Sequence, residues 1–346
     1  MTAPKPRLPP MTPCLSHRLC IAPMMDRSDR HFRFLTRALA PRARLYTEML
    51  TARALLRGDA QRLLRFDAAE HPVALQLGGG EPEELAHAAR LGERAGYDEI
   101  NLNVGCPSER VQSGCFGAAL MLDAGRVADC VAALRGAVAV PVTVKTRLGV
   151  DEHDSYEFLT AFVARVAAGG CETFIVHARK AWLSGLSPRE NREVPPLDYP
   201  RVHRLKRDFP ALAIVTNGGL VDRGTVLSQL ERVDGVMLGR AAYQRPWLVA
   251  ELDRTLFNGR EAPALGRVLE RYFAYMEREL AAGTPLRSMA RHLLGLRAGL
   301  PGGRLWRRAL SELPDGHIGL ARLRALAAQP RSARRGVEPG AAYALG

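Results

Sequence analysis

Short apolar runs recur eight times along this chain, each closed by a turn and followed by a stretch with helical periodicity. RLCIA (18–22) opens the series and APMMD closes it, with a helix expected over 29–39 behind Ser28 as its cap. Runs at 43–47, 73–77 (VALQL) and 99–104 (EINLNV) follow, then 142–146 (VTVKT), 173–177 (TFIVH), 211–216 (ALAIVT) and 235–238 (GVML). Helical stretches separate them, among them 48–56 and 82–95, the latter with Pro82 in its first turn where a missing N–H costs little. Eight strand–helix units over roughly 230 residues predict an α/β fold, a (β/α)8 TIM barrel. A doubly wound sheet is the competing architecture, but no G-x-G-x-x-G follows the first strand.

A barrel of this kind gathers its chemistry at the C-terminal ends of its strands. Pro23, Met24 and Met25 stand after the first strand, Gln76 at the third, Asn103 and Cys106 at the fourth, Lys145 at the fifth and His177 at the sixth. Singly, each has a plain structural reading: a capping Gln, a core His, a buried small Cys. Their convergence on one rim favours a site. After the last two strands come Asn217-Gly218-Gly219 and Gly239-Arg240. Barrels commonly hold a phosphate there, on backbone N–H groups and permissive glycines. With Lys145 and His177 across the mouth, that cup suits a phosphorylated planar cofactor such as FMN, although a sugar phosphate could use it too. Lys145 would then lie at the flavin edge that becomes negative on reduction.

The stretch 101–121, NLNVGCPSERVQSGCFGAALM, holds two thiols, Cys106 at the strand end and Cys115 nine residues on. The six cysteines include no C-x-x-C pair, which argues against a zinc site or a disulfide framework, and no metal is expected. No run of 18 apolar residues suggests a membrane span. The Pro-rich start, 1–17, reads as a disordered lead-in to a cytoplasmic protein. Net charge is +13, and from Glu251 onward 16 Arg stand against 9 acidic residues. Six of those Arg lie between Thr284 and Arg308, a stretch without Asp or Glu. The excess points to a polyanion, and the interruptions by Gly and Pro favour nucleic acid over a membrane surface.

Several blocks carry a resemblance. APMMDRSDRHFR, LYTEM, HPVALQLGG, DEINLNVGCPSERVQSGCFGAALM, VPVTVKTRLGVD, VHARKAWLSGLSPRENREVPPL, TNGG, DGVMLGR and RHLLGLRAG…GRLWRR are similar to the tRNA-dihydrouridine synthases, over about 18–312. The A subfamily, whose targets are uridines 20 and 20a of the tRNA D-loop, fits best. The resemblance implies an FMN-binding barrel over 18–255 and a small C-terminal α-helical, tRNA-binding domain over 265–330. The tail 331–346 falls outside it and is expected to be disordered.

What the resemblance implies for individual residues is specific. FMN contacts fall on Pro23, Met24, Met25, Gln76, Lys145 and His177, and phosphate contacts on Asn217, Gly218, Gly219, Gly239 and Arg240. Cys106 matches the proton donor and Asn103 a residue touching the target base, while Arg189 and Arg192 match basic positions of the RNA grip. Arg304 and Arg307, beside Trp306 in the basic segment, are expected to follow the tRNA backbone. NADPH would reduce FMN, hydride would pass to uracil C6, and Cys106 would protonate C5 of a uridine turned out of its stack. Cys115 is the competing thiol. No obligate protein partner is implied, and a monomer is expected. Two other readings stay open: a flavin barrel acting on a small molecule, such as a dihydroorotate dehydrogenase-like enzyme or an ene-reductase, and a barrel that binds RNA without chemistry. The first has no use for the Arg-rich segment; the second has none for Cys106 and Lys145.

Overall fold

The computed structural model describes residues 17–108, 116–259 and 261–328. Cys115 and the segments 1–16 and 331–346 therefore lie outside the described residues.

Eight parallel strands close into a barrel. They are β1 (Leu19–Ile21), β2 (Arg44–Tyr46), β4 (Val73–Gly78), β5 (Glu99–Val104), β6 (Val142–Arg147), β7 (Thr173–His177), β8 (Ala213–Asn217) and β9 (Gly235–Leu238). Neighbours pair in parallel from β4 through to β9, β9 pairs with β1, β1 with β2, and β2 with β4, which seals the ring. A two-residue strand, β3 (Leu50–Thr51), adds to the far end of β4. It takes the start of the stretch expected to be helical from 48; the helix begins only at Ala52, where the Thr51 side chain caps it. The barrel expectation is borne out.

Helix α1 (Arg30–Leu39) follows β1, and the alternation along each later strand sorts the side chains. Ile100, Leu102 and Val104 of β5, with Val142 and Val144 of β6, face outward into the main apolar core. Helices α2 (Pro82–Ala95) and α3 (Ala124–Ala137) cover them. Inside the ring the filling is divided. Cys20, Ala22, Tyr46, Ala74, Ile175, Val215 and Met237 make a small apolar plug. The β4–β6 side instead carries the fully buried polar groups Gln76, Glu99, Asn101 and Thr143.

Helix α1 links the barrel to a second core. Its cap is Asp29, whose carboxylate accepts from the His31 and Phe32 amides; Ser28, expected in that role, instead closes the turn back to Met24. Phe34 of α1 stacks on Tyr275 with ring centroids 4.0 Å apart. Tyr275 belongs to α4 (Leu265–Ala281), whose apolar stripe packs on α1 and on α6 (Gly316–Ala328). Trp306 on α5 (Gly303–Ser311) is buried in the same core, its Nε1 donating to the Leu293 carbonyl at 2.9 Å. The C-terminal region is thus helical and built on its own aromatic centre. No helix among the described residues is long and apolar enough to cross a membrane.

Candidate active site

Register sets the site. Asn103 of β5 lies beside Lys145 of β6, Arg147 of β6 beside His177 of β7, and His177 beside Asn217 of β8. Residues from four consecutive strands therefore gather at the C-terminal mouth, Asn103 and Lys145 in one row and Arg147, His177 and Asn217 in the next, as the barrel demands. Lys145 Nζ donates to Asn217 Oδ1 at 3.1 Å, and Asn217 Nδ2 donates to the Met237 carbonyl at 2.7 Å. Asn217 is thereby committed as an acceptor toward the lysine.

Cys106 is held by its own backbone. Asn103 Oδ1 accepts from the Gly105 amide at 3.1 Å and the Cys106 amide at 3.0 Å. Such a side-chain turn fixes the loop as it leaves the strand. Cys106 is half-buried, and its Sγ lies 3.5 Å from the Ser108 hydroxyl. Gln76, nearly inaccessible at 1% exposure, accepts from Asn103 Nδ2 and donates to Asn101 Oδ1, both at 2.8 Å.

The mouth is rich in cations. Burial, and then the neighbouring Arg147 charge, push the Lys145 ammonium down to about 7. Burial with Arg147 and Lys145 drives His177 well below the ordinary histidine range. Burial also lowers Arg147 to about 10 and pulls Arg179 and Arg192 down. A cluster whose basic groups are depressed together is one that an anion would relieve. Behind it, Gly218 (φ +103°) and Gly219 (φ +67°) bring backbone close. A Cβ on Gly218 would come within 2.5 Å of the His177 ring, and one on Gly219 within 2.3 Å of Leu197. A phosphorylated flavin fits both features, a basic mouth and a glycine cradle.

The other residues expected at the site are more dispersed. Pro23 and Met24 are half-buried at the rim, Met25 is 58% exposed, and Gly239 opens the short turn that carries Arg240. Arg240 points at the loop after β7, where it pairs with Glu193 and reaches the Arg192 carbonyl. Arg189 is exposed and approaches the other side of Glu193 at 3.6 Å. That loop, 178–198, is pinned by the fully buried Asn191, which exchanges hydrogen bonds with the Trp182 backbone. In the basic segment, Arg291 pairs with Asp29, Arg308 with Glu312, and Arg297 lies over Trp306. Arg304 and Arg307 remain exposed, without an ion pair among the described residues.

Sequence reasoning missed Arg147. It is 3% exposed, and its guanidinium ties the Gly105 carbonyl to the Lys180 and Asn191 carbonyls. The signal was present as K-T-R: two residues past Lys145, on the same face of β6. It also missed Glu99, Asn101 and Thr143, although the strict alternation of E-I-N-L-N-V placed polar groups on one face.

The family model described as dihydrouridine synthase (Dus) matches residues 20–330. A tRNA-dihydrouridine(20/20a) synthase of Vibrio cholerae is 56% identical over 300 residues, covering 86% of this chain and 91% of the relative. That of Yersinia pestis is 56% identical over 298 residues, covering 85% and 86%. That of Escherichia coli K12 is 55% identical over 299 residues, covering 86% of each. With the family model spanning most of its length and the relatives matching at more than half of aligned positions, this chain belongs to the dihydrouridine synthase family.

Proposed function

We propose that this chain reduces the C5–C6 double bond of uridines 20 and 20a in the tRNA D-loop, with Cys106 as the proton donor. The observation that carries the reading is the Asn103 turn, which fixes Cys106 at the barrel mouth beside the Lys145–His177 cluster. The relatives' names point to the same reaction on tRNA. When bound, FMN, recharged by NADPH, supplies the hydride that uracil C6 receives.

The chain's own residues do the rest. Lys145 and His177 would hold the flavin, and Asn217, Gly218 and Gly219 its phosphate, with Gly239 and Arg240 closing the cup. Pro23, Met24 and Met25 offer apolar and neutral contacts, and Gln76 retains one N–H beyond those it already uses. Asn103 stands where a base edge can meet it. The Cys106 S–H bond breaks as C5–H forms, so the thiol acts as an acid. The target uridine must leave its stack to reach the mouth, and Arg189 and Arg192 stand on the loop beside it. Arg304 and Arg307 extend the grip along the backbone. The protein is read as a monomer in the cytoplasm, with NADPH and tRNA as its partners.

Dihydrouridine mapping in cells lacking this protein tests the proposal. The modification should disappear at positions 20 and 20a and return with the wild-type gene but not with Cys106→Ala. Undiminished dihydrouridine at both positions in the deletion strain would refute it.

A further inference from the structure

The polar side chains inside the barrel form one continuous hydrogen-bonded ladder from its floor to its mouth. At the floor lies the Glu99 carboxylate, fully buried, with His17 Nε2 at 2.7 Å and Arg44 at 3.2 Å. Tyr46 and Thr143 donate to its Oε1 at 2.8 and 2.6 Å. Asn101 Nδ2 donates to Thr143 Oγ1, Gln76 Nε2 to Asn101 Oδ1, and Asn103 Nδ2 to Gln76 Oε1, each at 2.8 Å. At the mouth, Asn103 Oδ1 accepts from the Gly105 and Cys106 amides.

Every link runs the same way, and both ends require that direction. Burial would raise the Glu99 carboxyl, but His17, Arg44 and the hydrogen bonds outweigh it and hold it down to about 2, so it only accepts. Thr143 must therefore donate downward and accept from Asn101. Each amide above is then oriented by the one below it. The loop amides at the top only donate, so they need an oxygen facing them. A flipped Asn103 would set its NH2 against two N–H groups. Apart from Tyr46, which donates to Glu99, the apolar plug fills the other half of the barrel without adding a link to this chain, so packing alone gives no reason for the ladder to end at the Cys106 loop.

We propose that Glu99 and Thr143, at the opposite end of the barrel from the chemistry, are positioning residues that fix the amide orientation of Gln76 and Asn103 and through it the placement of Cys106. This rests on the reading of Cys106 as proton donor.

Thr143→Val removes the hydroxyl without changing shape, and Thr143→Ser keeps it. With FMN-loaded enzyme, the readouts are flavin content, NADPH-dependent flavin reduction, tRNA affinity and the single-turnover rate of flavin reoxidation by tRNA. Thr143→Val should slow reoxidation tenfold or more, a larger loss than in any of the other three readouts, and Thr143→Ser should reoxidise within twofold of wild type. A Thr143→Val enzyme reoxidising at the wild-type rate, or equal losses in both variants, would overturn the proposal. If Thr143→Val fails to fold, Asn101→Leu breaks the next link, leaves Glu99–Thr143 in place and is read the same way. Failure of both to fold would assign the ladder to folding alone and also overturn it. Cys106→Ala in the same assay separates the two claims. A normal rate there sinks the proton-donor reading, whereas a Cys106-dependent rate untouched by Thr143→Val sinks only the ladder.

Discussion

Arg147 Nε donates to the Gly105 carbonyl at 3.0 Å, so the residue preceding Cys106 is tied directly to the end of β6. The same guanidinium donates from Nη1 to the Asn191 carbonyl at 2.8 Å and the Lys180 carbonyl at 3.0 Å. One planar fork thus fastens the cysteine loop to the loop carrying Arg189 and Arg192.

Arg147→Lys keeps the charge but cannot span three carbonyls from a single ammonium. The expected outcome is a tenfold or greater loss in the tRNA-dependent rate, faster proteolytic cleavage within 184–190, and retained FMN. Each buried carbonyl left unpaired costs about 1–3 kcal/mol, so a lower melting temperature should accompany it. Steady-state kinetics with limited proteolysis checks both loops at once, and a variant with normal rate and cleavage would show that the fork is dispensable.

Lys145 carries a pH signature. Its folded value, about 7, lies below the ordinary lysine value of 10.5. Between those two pH values the unfolded chain binds the extra proton, so stability of the flavin-free protein should rise as pH increases from about 7 toward 10. Below 7 the ammonium is charged in both states and its burial cost is fully felt. Lys145→Met should flatten this rise. Chemical denaturation of flavin-free protein across that range measures it, and an identical slope in the variant would place the proton elsewhere.

The outward faces of the strands were legible because parallel strands buried under helices read as apolar runs. The last two strands end within two residues of where the sequence puts them, since Asn217-Gly218 and Gly239 punctuate them. The rim residues could be read as well, because a strand's end fixes which loop a side chain enters. What the lumen does was not legible. Glu99, Asn101 and Thr143 look like ordinary polar strand positions until the register puts Thr143 opposite Asn101. Arg147 was hidden for a similar reason: its three partners come from residues up to 44 positions away. In the basic segment the sequence alone did not separate core from surface. Trp306 stands among the arginines in sequence, and an amphipathic α5 turns it inward and leaves Arg304 and Arg307 outside.

Cys106→Ala should retain FMN, bind tRNA with wild-type affinity and be reduced by NADPH at the wild-type rate, yet lose uridine turnover by about 100-fold or more, the usual scale for a missing general acid. The Asn103 turn uses only the backbone of residue 106, so the loop should stay in place. Cys115→Ala is the control. Loss of turnover in that variant with normal turnover in Cys106→Ala would reverse the assignment of the acid.

The outer surface of α5 distinguishes an enzyme for tRNA from one for a small uracil compound. Arg304 and Arg307 lie three residues apart on one helix, so their side chains share a face. Both are exposed, and their neighbour Arg308 is already paired with Glu312. With no ion pair among the described residues, both cations can meet phosphates. Each phosphate contact releases counterions, so losing one lowers the log–log salt dependence of binding by about one unit. The double variant Arg304→Ala/Arg307→Ala should therefore bind tRNA more weakly at moderate salt, with a slope reduced by about two by the same rule. NADPH oxidation should be unchanged, because α5 packs on residues 291–295 and on α6. tRNA affinity measured across a salt series in wild type and variant decides it. Equal affinity and equal slope would move the RNA off α5, leaving the loop of Arg189 and Arg192 to account for the grip.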